Sequence, residues 1–131
     1  MRNVDYLIML ERRENIIVKK TEDFGDRIIK LHKYLLGKRE GNVDILKQIL
    51  RSGTSIGANV SEGQYAQTKA DFLTKMSIAL KEANETKYWL NRLMTGGYLN
   101  EVEYNSIISD NVEIINILVK ITGTTKESLK K

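Results

Sequence analysis

The apolar positions of this chain recur at helical spacing in four segments, the first of them near residue 30. Its stripe steps by four, three and four residues through Phe24, Ile28, Leu31 and Leu35. This is the pattern of one buried helix face, so a helix is predicted over Thr21–Leu36 with Thr21 as its N-cap. Gly37 and Gly41 bracket the polar stretch that follows and predict a turn there.

The second segment carries glycine within its apolar stripe. The stripe steps by 3, 4, 3, 4 and 3 residues through Leu46, Ile49, Gly53, Ile56, Val60 and Gly63. The unbroken phase predicts a helix over Val43–Glu62, capped by Asn42. Its glycines would lie inside the helix, although each costs about 1 kcal/mol relative to alanine. A break near Gly53 or Gly57 is the alternative.

The third segment has the clearest start and stop signals. Thr68 and Asp71 match a capping box, and Gly96 with Gly97 marks an end. A helix is therefore predicted over Lys69–Thr95. Its stripe alternates steps of four and three residues through Phe72, Met76, Ala79, Ala83, Thr86, Leu90 and Leu93.

The fourth segment begins with a second capping box, formed by Asn100 and Glu103. Gly123 is predicted to close this helix, and residues 124–131 are predicted to form a C-terminal tail with at most a frayed turn. The apolar positions between these signals are Tyr104, Ile107, Ile108, Ile114, Ile115, Leu118 and Ile121.

Four helices joined by short connections predict an all-α fold, an antiparallel four-helix bundle running up-down-up-down. A length of 131 residues suits one domain, which is placed at residues 19–123. Residues 1–18 are predicted as an N-terminal arm or extension, either extended or with an early helical turn. The chain contains no proline, which favours long helices over a loop-rich fold.

The outward side of the second helix carries small residues where long charged ones are usual. Opposite the apolar stripe, a helical wheel places Arg51, Ser55, Ala58 and Glu62 on one line. An ordinary solvated helix face is rich in charged side chains. The two small residues between an arginine and a glutamate therefore predict that another helix docks there, from a second copy of the chain.

The third helix has a matching flank, on which Glu82, Glu85 and Trp89 follow heptad spacing. In an antiparallel hairpin Arg51 lies level with this flank, so it can pair with Glu82 or Glu85 within one chain or between chains. These residues are predicted to form an oligomer interface. The alternative is that Glu85 pairs with Lys81 on a wet surface while Trp89 belongs to the core.

Three stretches, "LRSGTSIGANVSEG", "DFLTKMSIALKEANETKYWL" and "GYL", resemble the four-helix bundle family of intervening-sequence proteins. That family is known from open reading frames within insertions in bacterial large-subunit ribosomal RNA genes, and the resemblance covers residues 14–122. It implies a homopentameric ring. It also implies kinship with the accessory protein of diversity-generating retroelements, a basic pentamer that binds nucleic acid and its reverse transcriptase. It implies no catalytic residues.

The formal net charge is +4, and residues 1–40 hold ten Lys and Arg against seven Asp and Glu. On the first helix the basic residues lie to one side of the apolar stripe, and they are Arg27, Lys30, Lys33 and Lys38. Repeated around a ring, this basic face would bind phosphates by counterion release. An ordinary solvated lysine face is the alternative, because no binding motif and no aromatic platform accompany it in the sequence.

The sequence offers no pattern for catalysis, metal binding or membrane insertion. There is no cysteine, His32 is the only histidine, and neither a nucleophile-elbow nor a phosphate-loop motif occurs. Glu82 and Glu85 lack the Glu-x-x-His partner of di-iron bundles. No apolar run approaches the ~18 residues of a membrane span. No enzyme activity, cofactor or metal is predicted, and the expected location is cytoplasmic.

These patterns together predict a non-enzymatic, self-assembling helical bundle that serves as an interaction scaffold. Sequence-indifferent binding of RNA or DNA is the functional hypothesis. The alternative is a protein–protein adaptor that contacts no nucleic acid and uses grooves between subunits or the surface around Trp89.

Overall fold

The computed structural model describes residues 3–38 and 43–130, with the backbone alone for residues 3–15. These ranges form four helices and contain no strand. The helices are α1 (Asn3–Lys38), α2 (Val43–Gly63), α3 (Lys69–Thr95) and α4 (Glu101–Leu129). The all-α prediction is confirmed, and the third helix has the bounds that its capping signals predict. The predicted N-cap Asn42 and the turn residue Gly41 lie outside the described residues.

Each helix packs against its neighbours in the sequence, and α1 also packs against α4. Side-chain pairs between neighbouring helices join rising residue numbers on one helix to falling numbers on the other, as in an antiparallel pair. Such pairs are Arg51 with Glu85, Glu62 with Lys75, Asn111 with Ala83, Tyr104 with Asn91, Arg27 with Asp110, and Lys20 with Glu113. The helices therefore run up, down, up, down around one core.

The core is filled by aliphatic and aromatic side chains from all four helices. The largest of the fully buried ones include Phe24, Leu35, Ile49, Ile56, Met76, Leu90, Ile114 and Leu118. Burying a side chain of this size stabilises the folded state by about 1.5–3 kcal/mol. The two alanines of the α3 stripe, Ala79 and Ala83, are equally buried and let the neighbouring helices approach closely.

Helix α1 begins at Asn3, well ahead of the predicted start at Thr21. Thr21 is not an N-cap, because its hydroxyl donates to the Ile17 carbonyl oxygen at 2.8 Å in mid-helix. The Thr21 side chain is buried and occupies a core position between Ile17 and Phe24. A threonine can fill such a position because bonding to the carbonyl four residues earlier satisfies its hydroxyl.

Helix α4 continues past Gly123 to Leu129, so the predicted stop at Gly123 is wrong. The cause is again threonine at core positions. Thr122 and Thr125 are buried, and their hydroxyls donate to the Leu118 and Ile121 carbonyls at 2.9 and 2.7 Å. The buried face of α4 thus extends beyond the glycine, and packing outweighs the ~1 kcal/mol that glycine costs inside a helix.

Helices α1 and α2 meet at two glycines of α2, and α2 is continuous through both. A Cβ atom added at Gly53 would lie 2.7 Å from the Ile28 side chain. One added at Gly57 would lie 3.1 Å from the Thr21 carbonyl oxygen, which belongs to the α1 backbone. The small residues therefore let α1 approach the α2 backbone, as the continuous stripe predicts.

The two connections that the structure describes have well-defined ends. Thr68 caps α3 by accepting from the Asp71 backbone N–H at 3.0 Å. Asn100 and Glu103 form the complete capping box of α4, with bonds of 2.8 and 3.0 Å. Gly97 has φ +81°, a conformation that favours glycine, and it turns the chain from α3 toward α4.

Candidate interaction surfaces

The predicted interface residues of α2 and α3 form a network around Arg51. The Arg51 guanidinium donates to a Glu85 carboxylate oxygen at 2.5 Å and to a Glu82 oxygen at 3.3 Å. The Trp89 indole N–H donates to the same Glu85 oxygen at 3.4 Å. The predicted Arg51 pairing thus occurs within one chain, and Glu85 bonds to Arg51 instead of Lys81.

The two carboxyls of this Arg51 network have different electrostatic environments. Burial raises the pKa of Glu82, whose side chain is 14% exposed, and a hydrogen bond with Glu85 raises it further. The hydrogen bond from Arg51 lowers the pKa of Glu85, and the Trp89 N–H adds to that effect. Glu85 therefore retains its charge to lower pH than Glu82 does.

On α2, a ridge is formed by Arg51, Ser55, Ala58 and Glu62. Helix α1 lies on one side of this ridge and α3 on the other. Ser55 is half-buried, and its hydroxyl donates to the Arg51 carbonyl at 2.6 Å. Ala58 is exposed and lines a groove of about 300 Å³ between α1 and α2. Glu62 reaches toward α3 and pairs with Lys75 at 2.6 Å. The four predicted residues thus share a helix face, and the two charged ones form ion pairs with α3.

Aromatic rings continue the α3 side of this surface. Trp89 is half-buried against the core, and the exposed Tyr88 packs edge-to-face on it with ring centroids 4.9 Å apart. The Arg92 guanidinium lies 5.5 Å from the centroid of the Tyr88 ring. Ile78, on the same flank, is also partly exposed. This surface therefore combines apolar area with charges that are already paired.

The basic face of α1 divides into paired and unpaired residues. Arg27 is held against α4, because its guanidinium bonds to the Asp110 carboxylate at 2.5 Å and to the Ser106 hydroxyl at 2.9 Å. Lys30 and Lys33 are exposed, and neither forms an ion pair with any residue in the described ranges. They are therefore the members of the face that pair with no carboxylate in the described ranges.

Tyr34 lies among these basic residues, although none of the sequence patterns singles it out. Tyr34 is 45% exposed, and the Lys38 ammonium sits 4.3 Å from the centroid of its ring. It lines a groove of about 340 Å³ between α1 and α4 together with Arg27, Lys30, Leu31, Glu103, Ser106 and Ile107. The positions of Arg27, Lys30 and Tyr34 at seven- and four-residue spacing could have indicated this arrangement from the sequence.

Glu103, at the edge of this groove, is the carboxyl closest to Tyr34. Its pKa is lowered, mainly because the Asn100 backbone N–H donates to it, and further by the Tyr34 hydroxyl and the Lys38 ammonium. The capping box of α4 therefore fixes a carboxylate near the Tyr34 hydroxyl at the rim of the groove.

Residues 3–38 and 43–130 can also be judged for metal binding and membrane insertion. No group of three or more His, Cys, Asp or Glu side chains lies close enough to hold a metal ion there. None of the helices in that part of the chain has the length and apolarity needed to cross a bilayer.

Comparison with known proteins adds two findings to this geometry. The family model described as "23S rRNA-intervening sequence protein" matches residues 13–120. A crystal structure of a protein of unknown function from Bacteroides thetaiotaomicron VPI-5482, described as S23 ribosomal protein family, superposes with a TM-score of 0.81. The two sequences are 46% identical, and the match covers 85% of this chain and 98% of the other. No curated protein sequence matches this chain significantly.

Proposed function

The chain belongs to the family of 23S rRNA-intervening sequence proteins, and from that premise we propose that it is a non-enzymatic, self-assembling scaffold that binds nucleic acid. The basic face of α1, composed of Arg27, Lys30, Lys33 and Lys38, is the proposed binding surface. RNA is the expected ligand, because the family is named for an insertion in ribosomal RNA. The cytoplasm is the proposed compartment.

The observation that carries this proposal is the pair of exposed lysines on α1. Lys30 and Lys33 have no ion-pair partner in the described ranges, so their charges are available to phosphates. Arg27 bonds to Asp110 and Ser106, which fixes the orientation of its guanidinium beside them. Because such contacts are made to the nucleic-acid backbone, they give affinity without base preference.

Self-assembly would multiply this surface. The ridge of α2 with Ser55 and Ala58, together with the α3 flank at Trp89, is the proposed contact between protomers. A homopentamer is the assembly implied by the resemblance to intervening-sequence proteins. Five copies of a modest basic face bound to one nucleic-acid strand would gain avidity that a single face lacks.

Charge reversal on α1 tests the nucleic-acid proposal. Fluorescence anisotropy with a structured RNA at salt concentrations from 50 to 300 mM measures the affinity of the full chain and of the double variant K30E/K33E. Affinity at low salt should fall by at least about tenfold, and the slope of log K against log[salt] should become shallower. Loss of slope is expected because fewer counterions are released.

The matched control reverses two lysines on α3, in the variant K81E/K87E. Lys81 and Lys87 are exposed, and both double variants change the formal net charge from +4 to 0. The control should keep affinity within about threefold, because only net charge and not the binding face has changed. Equal weakening by both variants would show that α1 is not the site.

Solution mass tests the assembly. Light scattering should give about 75 kDa for five copies of the 15.0 kDa chain. The variant A58E places a carboxylate on the proposed contact and should shift the mass toward the protomer, with its helix content unchanged. A mass near 15.0 kDa for the unaltered chain would overturn self-assembly.

A protein–protein adaptor is the second candidate function, and the surface around Trp89 favours it. Tyr88 is 53% exposed while it packs on Trp89, outside the basic face. Tyrosine and tryptophan are common anchors of protein interfaces. If no RNA binds at 50 mM salt while the chain still assembles, the proposed function is that of a protein–protein adaptor and not of a nucleic-acid scaffold.

A further inference from the structure

Tyr34 places an aromatic ring in the middle of the basic face, where phosphate contacts alone would not require one. The residue is 45% exposed at the rim of the groove between α1 and α4. A tyrosine that served only the core would bury its ring. Lys30 lies one helical turn before it on the same side of α1, and Lys33 immediately precedes it.

The Tyr34 ring has charged neighbours near its face and near its hydroxyl. The Lys38 ammonium lies 4.3 Å from the ring centroid, within the range of a cation–π contact. The Tyr34 hydroxyl is close to the Glu103 carboxylate, which the capping box of α4 fixes through the Asn100 backbone N–H. A ring whose orientation is already set loses little entropy when it binds a flat partner.

We propose that Tyr34 is a stacking platform for an unpaired nucleobase, with Lys30, and Lys33 farther round the helix, contacting the phosphates of neighbouring nucleotides. This inference rests on the proposed nucleic-acid function and narrows its ligand to single strands. Charge complementarity favours this ligand, since the lysines face a polyanion and the aromatic ring faces a base. The Asp110 carboxylate pairs with Arg27, and the Glu103 carboxylate lies near Tyr34 and Lys38. Neither of these carboxylates forms an ion pair with Lys30 or Lys33.

A duplex cannot use this platform, because its bases are stacked on one another. An unpaired base presents a free face, and every base has one, so stacking on tyrosine is tolerant of sequence. Single-stranded loops and ends of RNA are therefore the expected ligand at this position. The groove volume of about 340 Å³ lies within the range of small-molecule pockets and accommodates a planar group beside the ring.

The test compares the variants Y34L and Y34F in the full chain. Fluorescence anisotropy measures binding of a labelled oligouridylate of roughly 15 nucleotides and of an RNA duplex of equal length. Y34L should weaken single-strand binding by about 5- to 150-fold and leave duplex binding unchanged, while Y34F stays within about threefold of the unaltered chain. The salt slope of Y34L should equal that of the unaltered chain, because no phosphate contact is lost.

The matched control is Y65L, in the connection between α2 and α3, where the tyrosine is 85% exposed and far from the basic face. It should leave single-strand affinity unchanged. If Y34L binds the oligouridylate as tightly as the unaltered chain while K30E/K33E does not, stacking is overturned and the proposed function stands. If the unaltered chain binds neither RNA at 50 mM salt, both are overturned.

Discussion

Helix α2 meets its two neighbours in opposite ways. Toward α1 it presents glycines, so Gly53 lies against Ile28 and Gly57 lies against the backbone at Thr21. Toward α3 it presents long charged side chains, with Arg51 bonded to two carboxylates and Glu62 to a lysine. The seam between α1 and α2 depends on glycines that lack a side chain. The seam between α2 and α3 depends on long charged side chains.

This difference between the two sides of α2 indicates which contacts stabilise the fold and which can change partners. A seam in such close contact tolerates added volume poorly, because close-packed interiors transmit each misfit. A partly exposed ionic seam is screened by water and contributes little stability, so its residues can change partners. The glycine seam therefore fixes the fold, and the charged seam is suited to regulated contact.

The largest effect is expected when Ile28 is shortened. I28A should lower the free energy of unfolding by about 2–5 kcal/mol, because a fully buried side chain leaves a cavity at the glycine seam. Urea unfolding followed by far-UV circular dichroism, at one fixed protomer concentration, measures the loss. In the G53A background the loss should be smaller by about 1 kcal/mol, since the added methyl group occupies part of the cavity. Strict additivity would contradict direct contact between these two residues.

Glycine-to-alanine changes test whether the seam between α1 and α2 has room for a Cβ atom. G53A should destabilise by about 1 kcal/mol, because overpacking against Ile28 costs more than the better helix propensity of alanine contributes. The matched change G123A lies in α4, where a Cβ would meet nothing within 4 Å. It should stabilise by about 0.5–1 kcal/mol. The same unfolding assay reports both, and a gain for both would show that the seam accommodates a Cβ.

The charged seam should be less sensitive to single changes. R51M removes the cation shared by two carboxylates, one of them largely buried, and should cost about 1 kcal/mol. K75M removes one exposed pair at the same seam and should cost less than about 0.5 kcal/mol. If R51M and K75M lower the thermal or urea midpoint by the same amount, the two carboxylates that pair with Arg51 depend on their cation no more than Glu62 depends on Lys75.

The smallest expected effect is a change of the R51M cost with pH. In the unaltered chain Arg51 lowers the pKa of Glu85, so that interaction stabilises above the unfolded pKa and is lost as pH falls through the lower folded value. Burial raises the pKa of Glu82, so its penalty is relieved as pH falls. In R51M the Glu82 and Glu85 carboxyls have no cation beside them, so both protonate more readily as pH falls. Protonation then relieves the repulsion between them.

The difference in unfolding free energy between R51M and the unaltered chain should therefore narrow from pH 7 to about pH 4, below the ordinary glutamate pKa of about 4.3. Urea titrations at the two pH values measure it, with K75M as the reference whose cost changes less. A difference that widens in acid would contradict the assignment of the lowered pKa to Arg51.

The parts of the fold that local signals define could be predicted from the sequence. Capping residues and the Gly96–Gly97 turn mark the bounds of α3, and heptad phase carries α2 through its glycines. The extensions of α1 and α4 could not be predicted the same way, because Thr21, Thr122 and Thr125 are polar by type. They fill core positions only because each hydroxyl bonds to a carbonyl one turn earlier.

The candidate surfaces were predictable to different degrees. The Arg51 pairing follows from the register of one hairpin, which the short connection before α3 fixes. The anchoring of Arg27 by Asp110 depends on how α1 meets α4 across the whole bundle, and no local pattern encodes that register. Tyr34 belongs to the same seam, and its exposure becomes evident only when both helices are in place.

The seam between α1 and α4 also differs from the others in how it must form during folding. Arg51 and Glu82 are 31 residues apart in the chain, whereas Arg27 and Asp110 are 83 apart. The entropy lost on closing a loop grows with its length, by about 0.6 kcal/mol for each doubling. We therefore expect the hairpins of neighbouring helices to close before the groove that holds Tyr34 is completed.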